Sequence, residues 1–236
     1  MPGWLLSASC GPLTSMLSNA TSIAWSCPHQ RSGSQSAHDA VQARARDKER
    51  QNEVHTGPAA GARIRKDGEE WTLILVRQLR HAPDRVWQAI TDPAHLREWA
   101  PFEADGNLGT VGATVKLTTV GAPKLTASDA TVTRADAPRV LEYNWGDRDM
   151  RWELEAHGGG TRLTLWTGID RRFIAMGAAG WHICIDVLDH LLGGSPIGRI
   201  VGGDAMKFDG WQRLYAEYAR QFDTDTPDGS RQAHEA

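Results

Sequence analysis

From Trp71 onward the chain breaks into short segments whose apolar positions repeat with a definite period. "WTLILVRQL" (71–79) is β-branched and apolar over nine residues and predicts a strand. "HAPDRVWQAITDPAHLREWA" (81–100) predicts two short helices. Pro83 suits a first helical position, and Val86, Trp87 and Ile90 form one apolar stripe. Pro93 disfavours helix in the residue before it, so the pattern breaks at Thr91-Asp92-Pro93, and Asp92 caps the second helix. Five further strands are predicted, at 113–119, 125–136, 139–145, 150–156 and 161–169. The turns "GDRD" and "HGGG" separate the last three, the mark of an antiparallel run of hairpins.

Alternation tells which face of this sheet is dry. Val115 and Leu117 point one way, with Leu141, Tyr143 and Trp145, then Met150, Trp152 and Leu154, then Leu163 and Leu165. The opposite positions hold Lys116, Glu142, Asn144, Arg151, Glu153, Glu155 and Arg162. An apolar sheet face must be covered. The apolar elements left to cover it are C-terminal, 171–194 and 203–222, both helical in pattern.

The first of these contains "GWHICIDVLDH" (180–190). On a helical wheel His182, Asp186, Asp189 and His190 fall in one narrow polar arc, and apolar residues fill the rest. Three readings compete for that arc. His182–Asp186 and Asp186–His190 are each four residues apart, a spacing that can bring two ligands to one metal, but no third ligand is evident. A His182–Asp186 pair could serve as base and orienter, yet no nucleophile elbow accompanies it, since "GGSPIG" is not G-x-S-x-G. The plain reading is a solvated stripe with intrahelical pairs. Cys184 lies in the apolar arc, where a thiol is buried and inert.

The termini have a different texture. Residues 1–66 are rich in Ser, Ala, Gly and Pro and then in charge, without sustained periodicity, and read as a disordered extension. No Lys or Arg precedes Arg31 and polar residues interrupt every apolar run there, which argues against a secretory signal; Asn19-Ala20-Thr21 matches a glycosylation acceptor, a tripeptide common by chance. Residues 223–236 read as a disordered tail, which leaves 67–222 as one folded domain. Charge separates along the same lines: 8 Lys/Arg against 4 Asp/Glu in 1–66, 17 against 21 in 67–222, and 1 against 4 at the end. The formal net charge of −3 gives no electrostatic reason to expect a nucleic-acid partner. Cys10, Cys27 and Cys184 form no CxxC pair and no zinc pattern, which fits a reducing, cytoplasmic setting. No apolar run is long enough to span a membrane, and no pattern specifies an oligomeric state.

The order strand, two short helices, antiparallel meander, long C-terminal helix resembles the START-like helix-grip fold of the SRPBCC superfamily. Within it, the chain is similar to bacterial proteins related to the C-terminal domain of the activator of the heat-shock protein 90 ATPase. "RQLRHAPDRVWQAITDPAHLREWAP" (77–101) carries the resemblance at the start, "TRLTLWTGI" (161–169) at the last strand, and "GWHICIDVLDHLLGG" with "WQRLYAEYARQF" at the C-terminal helices. It covers about residues 70–222; the opening motif is fairly specific for the fold, and none of the motifs is specific for an activity. The long N-terminal extension is a departure. The resemblance implies an α+β helix-grip fold, a twisted antiparallel sheet wrapped around a long C-terminal helix with a cavity between them.

That cavity makes a small apolar or amphipathic molecule the expected partner. The expected lining is Val115, Leu117, Tyr143, Trp145, Trp152 and Leu165, with Trp99 and Phe102 near the mouth. Eight of the ten tryptophans lie in 71–211; aromatic rings can fill a core outright or wall a pocket. No recognisable catalytic constellation or cofactor motif appears, so the chain reads as a binder rather than an enzyme. Two alternatives stand beside that reading. One is a cyclase/dehydratase- or hydrolase-like enzyme using His182 and Asp186. The other is a chaperone-linked interaction protein, which rests on analogy of fold.

Overall fold

The computed structural model describes residues 56–122, 124 and 126–223, together with Gln42, Arg46 and Glu49. The expected disordered extension up to residue 55, apart from those three residues, and the tail from residue 224 lie outside the described residues, as do Cys10, Cys27 and Asn19. In chain order the elements are β1 Ala62–Asp67, β2 Glu70–Leu79, α1 Pro83–Thr91, α2 Pro93–Trp99, β3 Phe102–Ala104, β4 Thr114–Thr119, β5 Ala127–Asp136, β6 Val140–Trp145, β7 Arg148–His157 and β8 Gly160–Gly168. A 3-10 turn at Arg171–Phe173 leads into α3 Ile174–Leu192, and α4 Gly202–Ala205 and α5 Asp209–Phe222 follow. All eight strands join one curled antiparallel sheet, in the order β1-β2-β8-β7-β6-β5-β4-β3.

Local chemistry explains the joints. Gly158 and Gly159, both at positive φ, make the two-residue turn between β7 and β8, which places His157 opposite Gly160. Asp92 accepts a hydrogen bond from the Ala94 N–H at 2.8 Å, capping α2 where Pro93 begins it. Trp99 then donates its indole N–H to the Ala89 carbonyl at 3.0 Å and fastens α2 back onto α1.

The predicted alternation holds. Leu141, Tyr143, Met150, Trp152, Leu154, Leu163 and Leu165 are all buried, while Arg151 and Glu153 stay partly exposed. The inner face wraps α3, which is buried along almost its whole circumference because the sheet covers one side and α5 and α2 flank it. Among the described residues no helix is long and apolar enough to cross a membrane.

Three elements differ from the sequence-based expectation. The ordered region starts before residue 67: Ala62–Asp67 pair with β2, Ala62 opposite Leu75 and Ile64 opposite Leu73, so a boundary at residue 66 cuts through a strand. Its sequence, "ARIRKD", buries only Ala62 fully and therefore shows no apolar run. Phe102–Ala104 forms a short edge strand on β4. The C-terminal segment is two helices, broken between Ala205 and Asp209.

Candidate functional site

The aromatic face comes together as predicted, but it packs as a solid. Trp99 meets Trp152 edge-on with ring centroids 5.9 Å apart, and Trp152 meets Trp181 of α3 at 5.6 Å. Phe102 packs edge-on against Tyr143 at 6.5 Å and Trp145 at 5.1 Å. Trp152 donates its indole N–H to the Tyr143 hydroxyl at 3.3 Å, and burial pushes that phenol well above its ordinary pKa. Trp99, Phe102, Val115, Leu117, Tyr143, Trp152 and Leu165 are all essentially sealed from solvent. Trp99 and Phe102, expected near the mouth, sit in this interior. Edge-to-face packing of this kind fills a core at high density.

The hollow lies beside that aromatic mass. A pocket of about 310 Å³ opens between the N-terminal half of α3, the segment 200–206 and the first residue of the α5 aromatic pair, Trp211. Trp145 is the one member of the expected lining that borders it. The α3 wall is Met176, Gly177, Gly180, Trp181 and Cys184. These follow helical spacing, so one stripe of α3 faces the void. At Gly180 a Cβ atom would meet nothing within 4 Å. Burial, with the nearby Asp186 charge, pushes the Cys184 thiol up to about 12, so it contributes apolar surface and not a nucleophile. The outer wall is a seam of backbone: Gly203 N–H donates to the Gly121 carbonyl at 3.1 Å. Gly121 and Gly202 both have positive φ, and a Cβ on Gly202 would fall 2.1 Å from the Gly121 oxygen, so only glycine permits this approach.

His182 and Asp186 border neither this pocket nor the larger concavity described below. His182 is 3% exposed and is covered by α5, not solvated as the plain reading of the polar stripe expects. Its Nδ1 lies 2.9 Å from the Tyr218 hydroxyl and its Nε2 3.4 Å from an Asp186 carboxylate oxygen. The geometry suits a neutral ring with Nε2–H toward Asp186 and Nδ1 accepting from Tyr218. Desolvation, helped by the Arg77 and Arg213 charges, lowers the His182 pKa against the opposing pull of Asp186.

Arg77 completes the knot, donating to the Tyr218 hydroxyl at 3.3 Å and to the Ala60 carbonyl at 2.5 Å. Arg213, Glu217 and Gln221 of α5 bind the backbone of Thr56, Ala59 and Ala62. The polar stripe therefore fastens α3, α5 and the approach to β1 together. Further along it, Asp189 pairs with His81 at 3.2 Å, and His190 is exposed. Among the described residues no group of three or more His, Cys, Asp or Glu could hold a metal ion.

A larger concavity, about 1530 Å³, is polar and reaches across the outer face of the sheet. There Arg151 is held between Glu142 and Glu153 and lies over the Trp166 ring at 5.5 Å. The concavity's lining mixes both signs of charge, with carboxylates outnumbering basic groups, and Glu142, Arg151 and Glu153 are paired to one another.

The pocket residues Met176, Gly180, Trp181, Met206 and Trp211 are absent from the sequence-based lining. A signal for part of the set exists: Gly177 and Gly180 put two missing side chains on one face of an otherwise bulky helix. Met206 and Trp211 meet that face only through the break between α4 and α5.

The family model for "Activator of Hsp90 ATPase homolog 1-like protein" matches residues 80–193. No curated protein matches the chain. Among solved structures, a conserved protein of unknown function from Enterococcus faecalis is 16% identical, with a TM-score of 0.51 over 70% of this chain and 92% of that one. The solution structure of CalU16 from Micromonospora echinospora is 20% identical, with a TM-score of 0.51 over 70% of this chain and 94% of that one. At these identities the likeness establishes the fold. Residues 80–193 are thus similar to the activator of Hsp90 ATPase homolog 1-like family, and the domain has the α+β helix-grip fold.

Proposed function

We propose that the protein binds a small apolar molecule in the pocket beside the N-terminal half of α3, without covalent chemistry. One observation carries this reading: an apolar pocket of about 310 Å³, open to solvent on one side, bordered by Trp145, Trp181, Trp211, Met176 and Met206. Apolar and aromatic walls with few polar groups are what small-molecule sites share. Of the eight residues expected to line a cavity, Trp145 contributes a wall and the others form the rigid backing behind it. His182 and Asp186 act as fasteners remote from the pocket, which removes support from the enzyme reading.

The test is native mass spectrometry of the full chain, followed by titration with the uncharged fluorophore N-phenyl-1-naphthylamine. A co-purifying small molecule, or saturable fluorescence that Gly180→Leu weakens at least about tenfold, supports the reading; burying a leucine there removes the space the probe needs. A chain that flies bare and gives no saturable signal overturns it.

A further inference from the structure

We propose that the free edge of β1 takes up an extended acidic peptide as an added antiparallel strand. The sheet order gives β1 one neighbour, β2. The Val76 N–H donates to the Gly61 carbonyl at 2.8 Å, which fixes the alternation along the pair. Arg63, Arg65 and Asp67 therefore turn their backbone groups to β2, while Ala62, Ile64 and Lys66 turn theirs outward. Gln221 of α5 donates to the Ala62 carbonyl at 2.9 Å and closes the edge at that end. The outward N–H and C=O groups of Ile64 and Lys66 have no partner among the described residues. Such a row of unmade backbone bonds is a template for another strand. It lies ahead of residue 80, outside the part of the chain that the family model matches.

Charge selects the partner. Arg63 and Arg65 stand exposed on the outer face of the sheet, and neither has an ion-pair partner among the described residues. Ile64 points to the inner face and is half-buried against the core, and Lys66 lies over the Trp71 ring at 5.3 Å. Two copies paired edge to edge would set these cations against one another, which disfavours a second copy of the chain. A strand with carboxylates opposite Arg63 and Arg65 and an apolar residue opposite Ile64 continues both faces of the sheet. At the turn beyond β1, Asp67, Glu69 and Glu70 are exposed carboxylates, so the end of the added strand beside them should be basic. In antiparallel register that end is the N-terminal one. The segment that fits therefore reads basic, any residue, acidic, apolar, acidic.

The test uses the full chain and the acetylated peptide KTEVETGG, dye-labelled at its C-terminal end and followed by fluorescence anisotropy. Saturable binding is expected. The peptide KTEPETGG keeps the charge but lacks the N–H that would donate to the Ile64 carbonyl, and should bind roughly fivefold or more weakly, the typical worth of one neutral hydrogen bond. The reversed sequence TEVETKGG, of identical composition, should also bind more weakly. The double variant Arg63→Glu, Arg65→Glu should lose KTEVETGG and take up KTKVKTGG in its place. Lys66→Pro removes an outward N–H that no bond to β2 uses, and should weaken the wild-type peptide by a similar factor. Thermal melting checks the fold of both variants, and the wild-type peptide series decides the matter even if either fails to fold. Equal binding of KTEVETGG and KTEPETGG would mean charge attraction without strand pairing and overturns the proposal. So does the absence of saturable binding up to about 1 mM peptide. A dimer of the full chain in native mass spectrometry that Lys66→Pro dissolves would assign the edge to a second copy and overturn it as well.

Discussion

The two halves of α3 do opposite work with similar composition. The N-terminal half presents Met176, Gly177, Gly180, Trp181 and Cys184 to a void. The C-terminal half presents His182 to Tyr218 of α5 and Asp189 to His81 just before α1, while Asp186 reaches only back to His182. Sequence makes the second half look like chemistry and the first like ordinary core. The structure reverses this, because a polar side chain that has found partners is committed, whereas missing side chains leave room. A histidine–aspartate spacing on a helix gains functional meaning only if that face reaches a cavity.

The comparison can be broken first at its backing. Trp152 is 1% exposed and braced by Trp99, Trp181 and Tyr143. Trp152→Ala should cost about 3–5 kcal/mol in urea unfolding. Trp145→Ala, at a half-buried ring on the pocket's edge, should cost under about 2 kcal/mol while weakening probe binding. Equal losses of stability would mean that Trp145 is core and that pocket and packing are not separable.

The fasteners come next. Tyr218→Phe strips the hydroxyl from His182, Arg77 and Ala60 together. It should cost about 1–3 kcal/mol, the range for buried polar groups left unpaired. Probe binding should not change, since Tyr218 does not border the pocket. A loss of binding without loss of stability would restore His182 and its neighbours as site residues.

How far the sequence carried differs between these regions for a physical reason. The sheet was legible because period-2 alternation is a local property: Tyr143, Trp145 and Trp152 point inward and Glu142 and Glu153 outward, as their positions require. Helix ends were legible where Pro83, Asp92 and Pro93 carry their own geometry. β1 was not, because its hold comes from β2 and from Arg213, Glu217 and Gln221, more than 150 residues away in the chain. The pocket was legible only in part for the same cause. Alternation tells which face is dry but not whether facing rings close the gap, and that depends on where the break between Ala205 and Asp209 puts Trp211.

A smaller effect separates the halves by pH. His182 has a folded-state pKa below its ordinary value of 6.5, chiefly through desolvation. The unfolded chain therefore takes up a proton at a pH where the folded chain does not. The contribution to stability is full above about pH 6.5 and is lost as pH falls from there toward the folded-state value. Wild type should lose stability between about pH 7 and 5 with a slope that His182→Gln reduces, as read from urea midpoints at each pH. An unchanged slope would mean that His182 carries its proton in both states or in neither.

The smallest expected change lies in the empty half and has the opposite sign. Gly177 and Gly180 sit within one turn of each other inside α3, where glycine is unfavourable relative to alanine by roughly 0.5–1 kcal/mol. A Cβ on Gly177 would lie 2.5 Å from the end of the Ile169 side chain, whereas one on Gly180 would meet nothing within 4 Å. Gly180→Ala should therefore stabilise the fold by about 0.5–1 kcal/mol, while Gly177→Ala should gain less, because Ile169 must move to admit it. The same methyl at Gly180 intrudes on the pocket, so the more stable variant should bind N-phenyl-1-naphthylamine somewhat less well. That pairing of a gain in stability with a loss in binding at one position is what a hollow kept for a ligand produces. If Gly180→Ala stabilises the fold and leaves binding untouched, the space beside Gly180 is not where the probe sits.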